Sequence, residues 1–516
     1  MTLRFIYLCL GVALTLVLTA DVVRAKELPN ILLILTDDLG YGDLACYNDQ
    51  AKVATPNIDR LASEGILFND AHSPSTVCTP TRYSILTGQM VFRLGYRGVF
   101  TGVGGPCLIK PERLTLAELL QKAGYATAMF GKWHIGLTAF DKEGKPIRNG
   151  GPEGIAKIDY SRPFVGGPVD QGFDEFYGTA SCPTTDWFYA YIDGNEVPVP
   201  PTQKLDRKKL PRHPYGNDCR GGVVASNFNH EEVDLVFLRK SQEFLRRHTK
   251  KNPKLPFFLF HSTQAVHLPS FAAKQFQGKS GAGPHGDFLL EMDWVVGQLL
   301  TTLKEVGAAE NTLVIFSSDN GPEVPTIVAM RRDHKHDGAR PWRGVKRDNW
   351  EGGHRVPLIM QWPGKITPGT KSNETVCLTD FFATFAAITG QTYPKDAGED
   401  SFNILPAMLS KTGKTENIRP YTLHQTISLA LAIRQGKWKY LDHQGSGGNP
   451  YNAAKGFHGG LGQYTLPEKA PKAPGQLYDL AKDPGETTNL YFEQPEVTQK
   501  LKQLLETTKK SGRSAK

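Results

Sequence analysis

The stretch Ile31-Leu32-Leu33-Ile34-Leu35-Thr36-Asp37-Asp38-Leu39-Gly40 decides the fold class of this chain. Its first five residues form a continuous apolar run, which is typical of a strand buried on both faces of a parallel sheet. Neighbouring side chains on a regular strand point to opposite faces, so Asp37 and Asp38 can share a target only if the chain curls after the strand, which Gly40 and Gly42 permit. Ligands bind at such strand ends in open α/β sheets, and a hard cation is the expected target. The alternative is an acidic surface turn.

Outward from this stretch, strand and helix signals alternate along the chain. Thr55-Pro56 and a Thr115-x-x-Glu118 capping box begin two helices that end at Gly65 and Gly124, and Thr379 caps a third that ends at Gly390. A fourth helix is predicted from its amphipathic pattern. The predicted strands lie at 125–130, 256–261 and 312–317, and the predicted helices at 55–65, 115–124, 287–306 and 379–390. This alternation predicts a layered α/β fold with a central, mostly parallel sheet between helices.

The C-terminal part has a different pattern. Pro, Lys and Gly become frequent up to about residue 418, so we place the end of a main domain of residues 26–418 there. Segment 431–441 predicts a hairpin and is followed by a loop and a terminal helix, so residues 419–508 are expected to form a smaller α+β subdomain with an antiparallel sheet. Residues 509–516 are a basic tail that we expect to fray.

The N-terminus has the pattern of a secretory signal peptide over residues 1–25. Arg4 precedes an apolar run over 5–20, and Ala25 is a small residue at a suitable cleavage point. The run is short for a membrane span, so we expect an exported protein, periplasmic or secreted, with no membrane anchor. The formal charge of +8 over 516 residues is too dilute to indicate nucleic acid as a partner, although it suits an anionic substrate.

A second oxygen-rich strand end is Ser317-Ser318-Asp319-Asn320-Gly321. Taken alone, Asn-Gly indicates a turn. Taken with Asp37 and Asp38, Asp319 and Asn320 give three carboxylates and an amide oxygen, a plausible set of ligands for Ca²⁺ or Mg²⁺.

Between the two strand ends lies Cys78-Thr79-Pro80-Thr81-Arg82, followed by Leu86-Thr87-Gly88. A cysteine considered alone is buried or disulfide-bonded in most exported proteins. Here, however, the chain resembles the type I, formylglycine-dependent sulfatases, whose signature is Cys-x-Pro-Ser/Thr/Ala-Arg with a nearby Leu-Thr-Gly. The resemblance covers nearly the whole mature chain and rests on further motifs in order: Asp37-Asp38-Leu39-Gly40-Tyr41-Gly42-Asp43, Gly131-Lys132-Trp133-His134-Ile135-Gly136, His267, Ser318-Asp319-Asn320-Gly321, Arg343-Gly344-Val345-Lys346 and Glu351-Gly352-Gly353-His354-Arg355-Val356-Pro357.

The resemblance implies an alkaline-phosphatase-like fold and a modified nucleophile. A separate formylglycine-generating maturation enzyme would oxidise Cys78, and the metal ligands would be Asp37, Asp38, Asp319 and Asn320 together with residue 78. We expect Ca²⁺, with Mg²⁺ as the alternative. The modification makes chemical sense, because a thiolate suits a hard cation poorly, whereas an aldehyde hydrate offers two hydroxyl oxygens.

The resemblance also implies roles in cleaving a sulfate monoester by in-line attack, through a hemiacetal sulfate that then eliminates sulfate. Arg82 and Lys132 would stabilise residue 78 and the sulfate charge. His134 would take a proton from the second hydroxyl of the hydrate. Lys132, Lys346 and His267 would bind the sulfate, and His267 would protonate the leaving group because imidazole titrates near neutral pH. Without the resemblance, His267 would be interpreted as a structural histidine, and Lys346 as a charged side chain exposed to solvent.

Specificity residues are expected in the charged segment Arg331-Arg332-Asp333-His334-Lys335-His336. A solvated loop is the ordinary interpretation. The sharper hypothesis is that Arg331, Arg332, His334 and His336 contact a sulfated or carboxylated sugar. A family serine that contacts sulfate would fall near Ser181 or Cys182, without a firm alignment.

Three functions remain open at this point. The first is an exported sulfatase acting on sulfated carbohydrates or aryl sulfates. The second is a phosphoesterase or phosphonate monoester hydrolase of the same superfamily, and the third is a non-catalytic binder of sulfated glycan. The single expected cation site and the cysteine motif favour the first.

Overall fold

The computed structural model describes residues 28–415 and 417–515, so the predicted signal peptide lies outside the described residues. The strands are β1 (Asn30–Thr36), β2 (Ile66–Phe68), β3 (Ala71–His72), β4 (Ala126–Lys132), β5 (Glu175–Thr179), β6 (Phe188–Tyr189), β7 (Ile192–Asp193), β8 (Gln203–Lys204), β9 (Val223–Val224), β10 (Phe257–Ser262), β11 (Thr312–Ser318), β12 (Leu358–Gln361), β13 (Thr370–Ser372), β14 (Val376–Cys377), β15 (Thr422–Gln425), β16 (Leu431–Gln435), β17 (Trp438–Leu441) and β18 (Gln476–Asp479). The α-helices are α1 (Pro56–Ser63), α2 (Cys78–Thr87), α3 (Leu116–Lys122), α4 (Pro152–Ile155), α5 (Val233–Lys251), α6 (Gly283–Glu305), α7 (Val324–His334), α8 (Glu351–His354), α9 (Phe381–Thr389), α10 (Leu405–Met408) and α11 (Pro495–Lys510).

The core of the molecule is a nine-stranded sheet in the order β13-β2-β12-β11-β1-β10-β4-β5-β7. Strand β1 pairs in parallel with β10 on one side and β11 on the other, and β10, β4 and β5 continue the parallel arrangement. Strand β12 is antiparallel to both β11 and β2, and β7 is antiparallel to β5. The predicted mostly parallel central sheet is therefore confirmed.

Helices cover both faces of this sheet, as the apolar run in β1 requires. Ile31, Leu33 and Leu35 pack into one hydrophobic cluster, and Leu32 and Ile34 into another. Helices α2, α3 and α9 contribute to the first cluster, and α1, α5 and α6 to the second. Each of these fully buried side chains contributes about 1.5–3 kcal/mol through removal of apolar surface from water, which fixes β1 at the centre of the fold.

The C-terminal part contains the expected antiparallel sheet, β15-β16-β17-β18, and the hairpin predicted over 431–441 is formed by β16 and β17. This sheet and α11 share a hydrophobic cluster that includes Leu423, Ile433 and Leu505. The last described residues do not fray as expected. The backbone N–H of Ala515 donates to Glu399 O at 3.0 Å, and Ser514 Oγ donates to Asp400 Oδ1 at 2.6 Å, so the tail is held against the main domain.

Helix boundaries also differ slightly from those that the sequence predicts. The helix expected to begin at Thr379 starts with a 3₁₀ turn over Leu378–Asp380 and continues as α9. The turn begins early because Asp380 Oδ2 accepts the backbone N–H of Cys377 at 2.8 Å. No helix in the described part of the chain has the length and apolarity needed to cross a membrane.

Candidate active site

The carboxyl ends of β1 and β11 bring the two oxygen-rich strand ends together. Asp38 adopts a left-handed backbone conformation with φ 61°, which curls the chain after β1. The backbone N–H of Asp38 donates to Asp319 Oδ1 at 3.3 Å, and Asn320 Nδ2 donates to Asp38 Oδ1 at 2.7 Å. The backbone N–H of Leu39 donates to Ser318 Oγ at 3.0 Å and closes the turn. All four predicted metal ligands of these strand ends are buried within one cluster, which we call the oxygen cluster: Asp37, Asp38, Asp319 and Asn320.

Two acceptors of the oxygen cluster lack a partner. Asp37 Oδ1 and Asn320 Oδ1 are both buried and accept no hydrogen bond within the described residues. A buried acceptor without a donor costs about 1–3 kcal/mol. Burial, and next the charge of Asp37, also raises the pKa of Asp319 well above its ordinary value. A hard divalent cation would satisfy both oxygens and relieve the repulsion, so these residues fit the expected ion.

Residue 78 lies at the start of α2, next to the oxygen cluster. Ligand atoms of Asp37, Asp38, Cys78 and His267 all lie within 4.8 Å of one another. The Cys78 thiol is unbridged and buried. Contact with the Cys182 thiol and burial raise the pKa of Cys78, against the charges of Lys132 and Lys346. The thiol is therefore the wrong group for a hard cation, and an oxygen at this position would fit.

Arg82 and Lys132 link the carboxylates to the neighbouring strands. Arg82 Nε donates to Asp319 Oδ2 at 2.9 Å, and its NH1 nitrogen donates to Ser262 Oγ at 2.6 Å. Lys132, the last residue of β4, donates from Nζ to Asp37 Oδ2. Although burial opposes charge on both cations, the pKa of each is raised, most strongly by Asp319 for Arg82 and by Asp37 for Lys132. Both buried side chains therefore carry positive charge.

His134 is arranged as a neutral base. Its Nε2 lies 2.8 Å from Phe100 O and must donate there, which leaves Nδ1 as the lone-pair atom. Nδ1 has no partner among the described hydrogen bonds. Burial, and next the charge of Lys132, lowers the pKa of His134 to about 4, so the ring is neutral at neutral pH. Nδ1 is free to accept a proton from residue 78.

His267 and Lys346 are cationic groups on the opposite side of the cluster. His267 Nε2 lies 3.6 Å from Asp38 Oδ2, and its Nδ1 donates to Leu268 O. Burial opposes charge on this imidazole, but Cys182 and Asp38 raise its pKa well above the ordinary value. Lys346 Nζ lies 2.7 Å from Asp38 Oδ1 and 3.4 Å from Glu323 Oε2. A protonated His267 has a hydrogen to give to a leaving group.

Cys182 is the site residue that sequence reasoning left open. Its Sγ lies 3.7 Å from His267 Nε2 and 4.0 Å from His134 Nε2, whereas Ser181 Oγ donates to Gly102 O at 2.6 Å. Of the two residues, Cys182 is thus the one inside the site. The chain pairs beyond the end of β4, because His134 N–H donates to Ala180 O at 2.9 Å. The available signal was position, since 180–182 directly follows β5, the next parallel strand.

The four predicted specificity residues differ in their contacts and in their exposure to solvent. Arg331 NH2 pairs with Asp337 Oδ1 at 2.9 Å, and its guanidinium lies 4.4 Å from the ring centroid of Tyr464. His334 lies against α6, since a Cβ on Gly283 would lie 2.8 Å from His334 Nε2. Arg332 has an exposed side chain.

The prediction that His336 binds substrate is corrected by its contacts. His336 is buried, its Nε2 donates to Asp43 Oδ1 at 2.8 Å, and its Nδ1 accepts the Lys52 N–H at 3.0 Å. Both ring nitrogens are therefore occupied. Asp43 in turn accepts the Gly40 N–H at 2.8 Å, so His336 supports the turn that follows Asp38.

Comparison with known proteins agrees with this geometry. The Sulfatase family model matches residues 29–391. The chain is 32% identical to an N-acetylgalactosamine-6-O-sulfatase of Bacteroides thetaiotaomicron, over 94% of each chain, and 34% identical to human arylsulfatase A, over 95% of this chain and 90% of that one. A solved sulfatase structure from a B. thetaiotaomicron locus for the metabolism of multiple glycosaminoglycans superposes with a TM-score of 0.78 at 30% identity, covering 94% of this chain and 100% of that one.

Proposed function

The chain belongs to the sulfatase family, and we propose that it is an exported hydrolase of sulfate monoesters on carbohydrates, with residue 78 oxidised to formylglycine and a divalent cation, Ca²⁺ with Mg²⁺ as the alternative. The observation that carries this proposal is that Asp37 Oδ1 and Asn320 Oδ1 are buried without a partner in a cluster whose Asp37 and Asp38 carboxylates lie within 4.8 Å of Cys78 Sγ. The relatives named for N-acetylgalactosamine 6-sulfate support a sugar substrate, and the predicted signal peptide supports export.

The charge balance of the site favours an anionic substrate. Four buried carboxylates, Asp37, Asp38, Asp319 and Glu323, are matched by four buried cations, Arg82, Lys132, Lys346 and the protonated His267. Once a divalent cation is bound, the same set has a net charge of about +2, because no other group of the set compensates it. This net positive charge would stabilise the negatively charged sulfate monoester. It is in place before the substrate binds, as the cleavage of an ester requires.

The chain's own residues would divide the proton transfers. Residue 78 as an aldehyde hydrate would supply the attacking hydroxyl, and the cation held by Asp37, Asp38, Asp319 and Asn320 would lower its pKa. His134 Nδ1, which has no other partner, would accept the proton of the second hydroxyl when sulfate is released. His267 would donate its Nε2 proton to the departing sugar oxygen. Lys132, Lys346 and Arg82 would hold the negative charge of the sulfate in place throughout.

The test uses protein co-expressed with a formylglycine-generating enzyme. The mass of the peptide that contains residue 78 reports the modification, and kcat/KM is measured on matched 4-nitrophenyl sulfate and 4-nitrophenyl phosphate. We expect the aldehyde at residue 78 and a preference for sulfate of at least about 100-fold, lost in the Cys78→Ala control. An unmodified thiol in fully active protein, or a preference for phosphate, would contradict the proposal.

A further inference from the structure

A cavity of about 500 Å³ opens directly beside the catalytic groups. Leu268, the neighbour of His267, lines it, and so does Asp218, whose carboxyl is close enough to His267 and Lys346 for their charges to affect its pKa. Its volume lies within the range of small-molecule sites, roughly 300–1,000 Å³. A group bound through sulfate to Lys346 and His267 would therefore extend into this cavity.

The outer wall of the cavity comes from the C-terminal subdomain. Phe457 lines it, and its side chain is 37% exposed. The loop that carries Phe457 is held against α7 because Gly460, at φ 90°, leaves no room for a side chain: a Cβ there would lie 2.8 Å from Val328 Cγ1. The Arg347 guanidinium lies 5.0 Å from the centroid of the Phe457 ring and donates from NH1 to Glu323 Oε2 at 3.0 Å. Glu323 also contacts Lys346, so Arg347 and Glu323 connect the Phe457 ring to the catalytic lysine.

The polar side chains of the cavity are accessible to a ligand. Within the described residues, the half-buried carboxyl of Asp218 has neither a hydrogen bond nor an ion pair with another side chain, and Asn217 beside it is exposed. Arg332 lines the outer rim with a side chain that is 62% exposed, and its guanidinium pairs with the neighbouring Asp333 carboxylate at 2.6 Å, an exposed ion pair that an anionic ligand can replace. Arg331 and His334 do not line the cavity, so the structure separates Arg332 from its neighbours.

We infer that this cavity is a sugar subsite, in which Phe457 stacks on a ring face, Asp218 and Asn217 bind hydroxyl or amide groups, and Arg332 pairs with an anionic group on the next residue of the glycan. This inference rests on the proposed function and names its substrate class, an acidic oligosaccharide of two or more residues. An aromatic face beside an unpaired carboxylate matches a sugar ring, which has apolar C–H faces and polar edges. The exposed guanidinium adds selectivity for a carboxylate or second sulfate.

The first test measures binding without turnover. A chondroitin disaccharide carrying a 6-sulfate is titrated calorimetrically into the Cys78→Ala variant loaded with Ca²⁺. Adding Phe457→Ala or Asp218→Asn is expected to raise Kd roughly three- to tenfold. The matched control is Phe492→Ala, which removes another exposed aromatic ring of the C-terminal subdomain, at 58% exposure, outside the cavity. Equal Kd values for Phe457→Ala and Phe492→Ala would overturn the subsite.

The second test isolates the anionic contact. Arg332→Ala is expected to raise Kd for the disaccharide roughly two- to fivefold at low salt, with no change for the same disaccharide after its uronic carboxyl is reduced to an alcohol. Arg246→Ala, an exposed arginine paired with Glu305 elsewhere on the surface, is the control. Equal loss for both disaccharides would refute the pairing with Arg332. Both tests read binding, so they remain decisive if the matured wild type fails to hydrolyse sulfate, which would contradict the proposed function alone.

Discussion

Metal-ligating side chains come together in two buried regions of the described residues, and only one region is suited to an ion. The oxygen cluster lies at the ends of β1 and β11. The second, which we call the histidine cluster, contains His72 of β3, His354 of α8 and His424 of β15, so it joins the main domain to the C-terminal sheet. All of these side chains are buried. The difference lies in which lone pairs remain free.

Protons occupy the ring nitrogens of the histidine cluster. His72 Nε2 lies 2.8 Å from Asp70 Oδ1 and 3.0 Å from Arg434 NH1. The Nδ1 atoms of His72 and His354 lie 3.0 Å apart, so one ring donates to the other in either tautomer. His354 Nε2 lies 3.1 Å from Lys439 Nζ and 3.2 Å from Asn349 O. This hydrogen-bonded chain uses the lone pairs that a metal would need.

Ring stacking and charge also disfavour an ion in the histidine cluster. The rings of His354 and His424 are stacked with centroids 3.7 Å apart and planes at 8°, so an ion in the plane of one ring would lie outside the plane of the other. His424 Nε2 has no described partner, but it is a single lone pair. The surrounding charges already balance, since Arg355, Arg434 and Lys439 face Asp70, Glu351 and Glu486. A cluster of metal-ligating side chains thus indicates a metal site only where several of their lone pairs are free and point to one place.

The largest expected effect comes from Asp37→Asn in the oxygen cluster. Loss of one carboxylate ligand should reduce kcat/KM on an aryl sulfate by about 100-fold or more and remove the rise in Tm that Ca²⁺ gives the wild type. Differential scanning fluorimetry with Ca²⁺ or a chelator checks the second effect. The matched change in the other cluster, His424→Phe, should keep the calcium response. A calcium response retained in Asp37→Asn would contradict the assignment of the ion.

Next in size is Lys439→Met in the histidine cluster. Lys439 is buried and lies 3.0 Å from Glu351 and 2.9 Å from Glu486, so its loss removes the cation of Glu486 and leaves Glu351 with Arg355 alone at close range. We expect the free energy of unfolding to fall by about 3–5 kcal/mol, measured by urea denaturation. Lys437→Met in the same hairpin is the control, because Lys437 is 47% exposed and should contribute about 1 kcal/mol or less. Equal losses for both variants would show that the buried ion pairs of Lys439 contribute no more to the free energy of unfolding than the exposed pair of Lys437.

A smaller effect is the acid sensitivity of the histidine cluster. Burial lowers the pKa of His72, His354 and His424, so below their ordinary pKa the unfolded chain binds more protons than the folded one. Their stabilisation is complete above about pH 6.5 and falls by about 1.4 kcal/mol per histidine and per pH unit below it. Unfolding at pH 7.5 and pH 5.5 measures the loss of stability, which His424→Phe should reduce by about 1.4 kcal/mol, the share of one histidine. An unchanged slope would exclude His424 from the titration.

The smallest expected effect is the response of the histidine cluster to Zn²⁺. The charges of the histidine cluster are already paired and its hydrogen bonds already formed, so the cluster should not bind Zn²⁺. Zn²⁺ should therefore shift the Tm of matured wild-type protein and of His424→Phe equally. Isothermal titration with Zn²⁺ provides the stoichiometry. A binding event that His424→Phe removes would show that the cluster holds a metal and would break the comparison between the two clusters.

Much of the site could be predicted locally, because its residues occupy sequence motifs at strand ends. Asp37, Asp38, Asp319 and Asn320 follow apolar runs that only a central parallel sheet can bury, so their meeting at one edge follows from the fold class. Residue 78 and Arg82 lie in one short motif, one helical turn apart. The assigned chemical roles of these residues stay predictions until the experiments above are done.

Contacts between distant segments decided the rest. Arg331 and Arg332 are adjacent and identical in type, yet one pairs with Asp337 and the other lines the cavity, because α7 turns successive side chains to different directions. The burial of His336 against Asp43 and the position of Phe457 depend on segments hundreds of residues apart. The sequence by itself determined the parallel core and the ligand types at its edge, since periodicity and local motifs encode them. Only the tertiary structure decided which lone pairs stay free and which charges are already paired, since those depend on partners that no local pattern specifies.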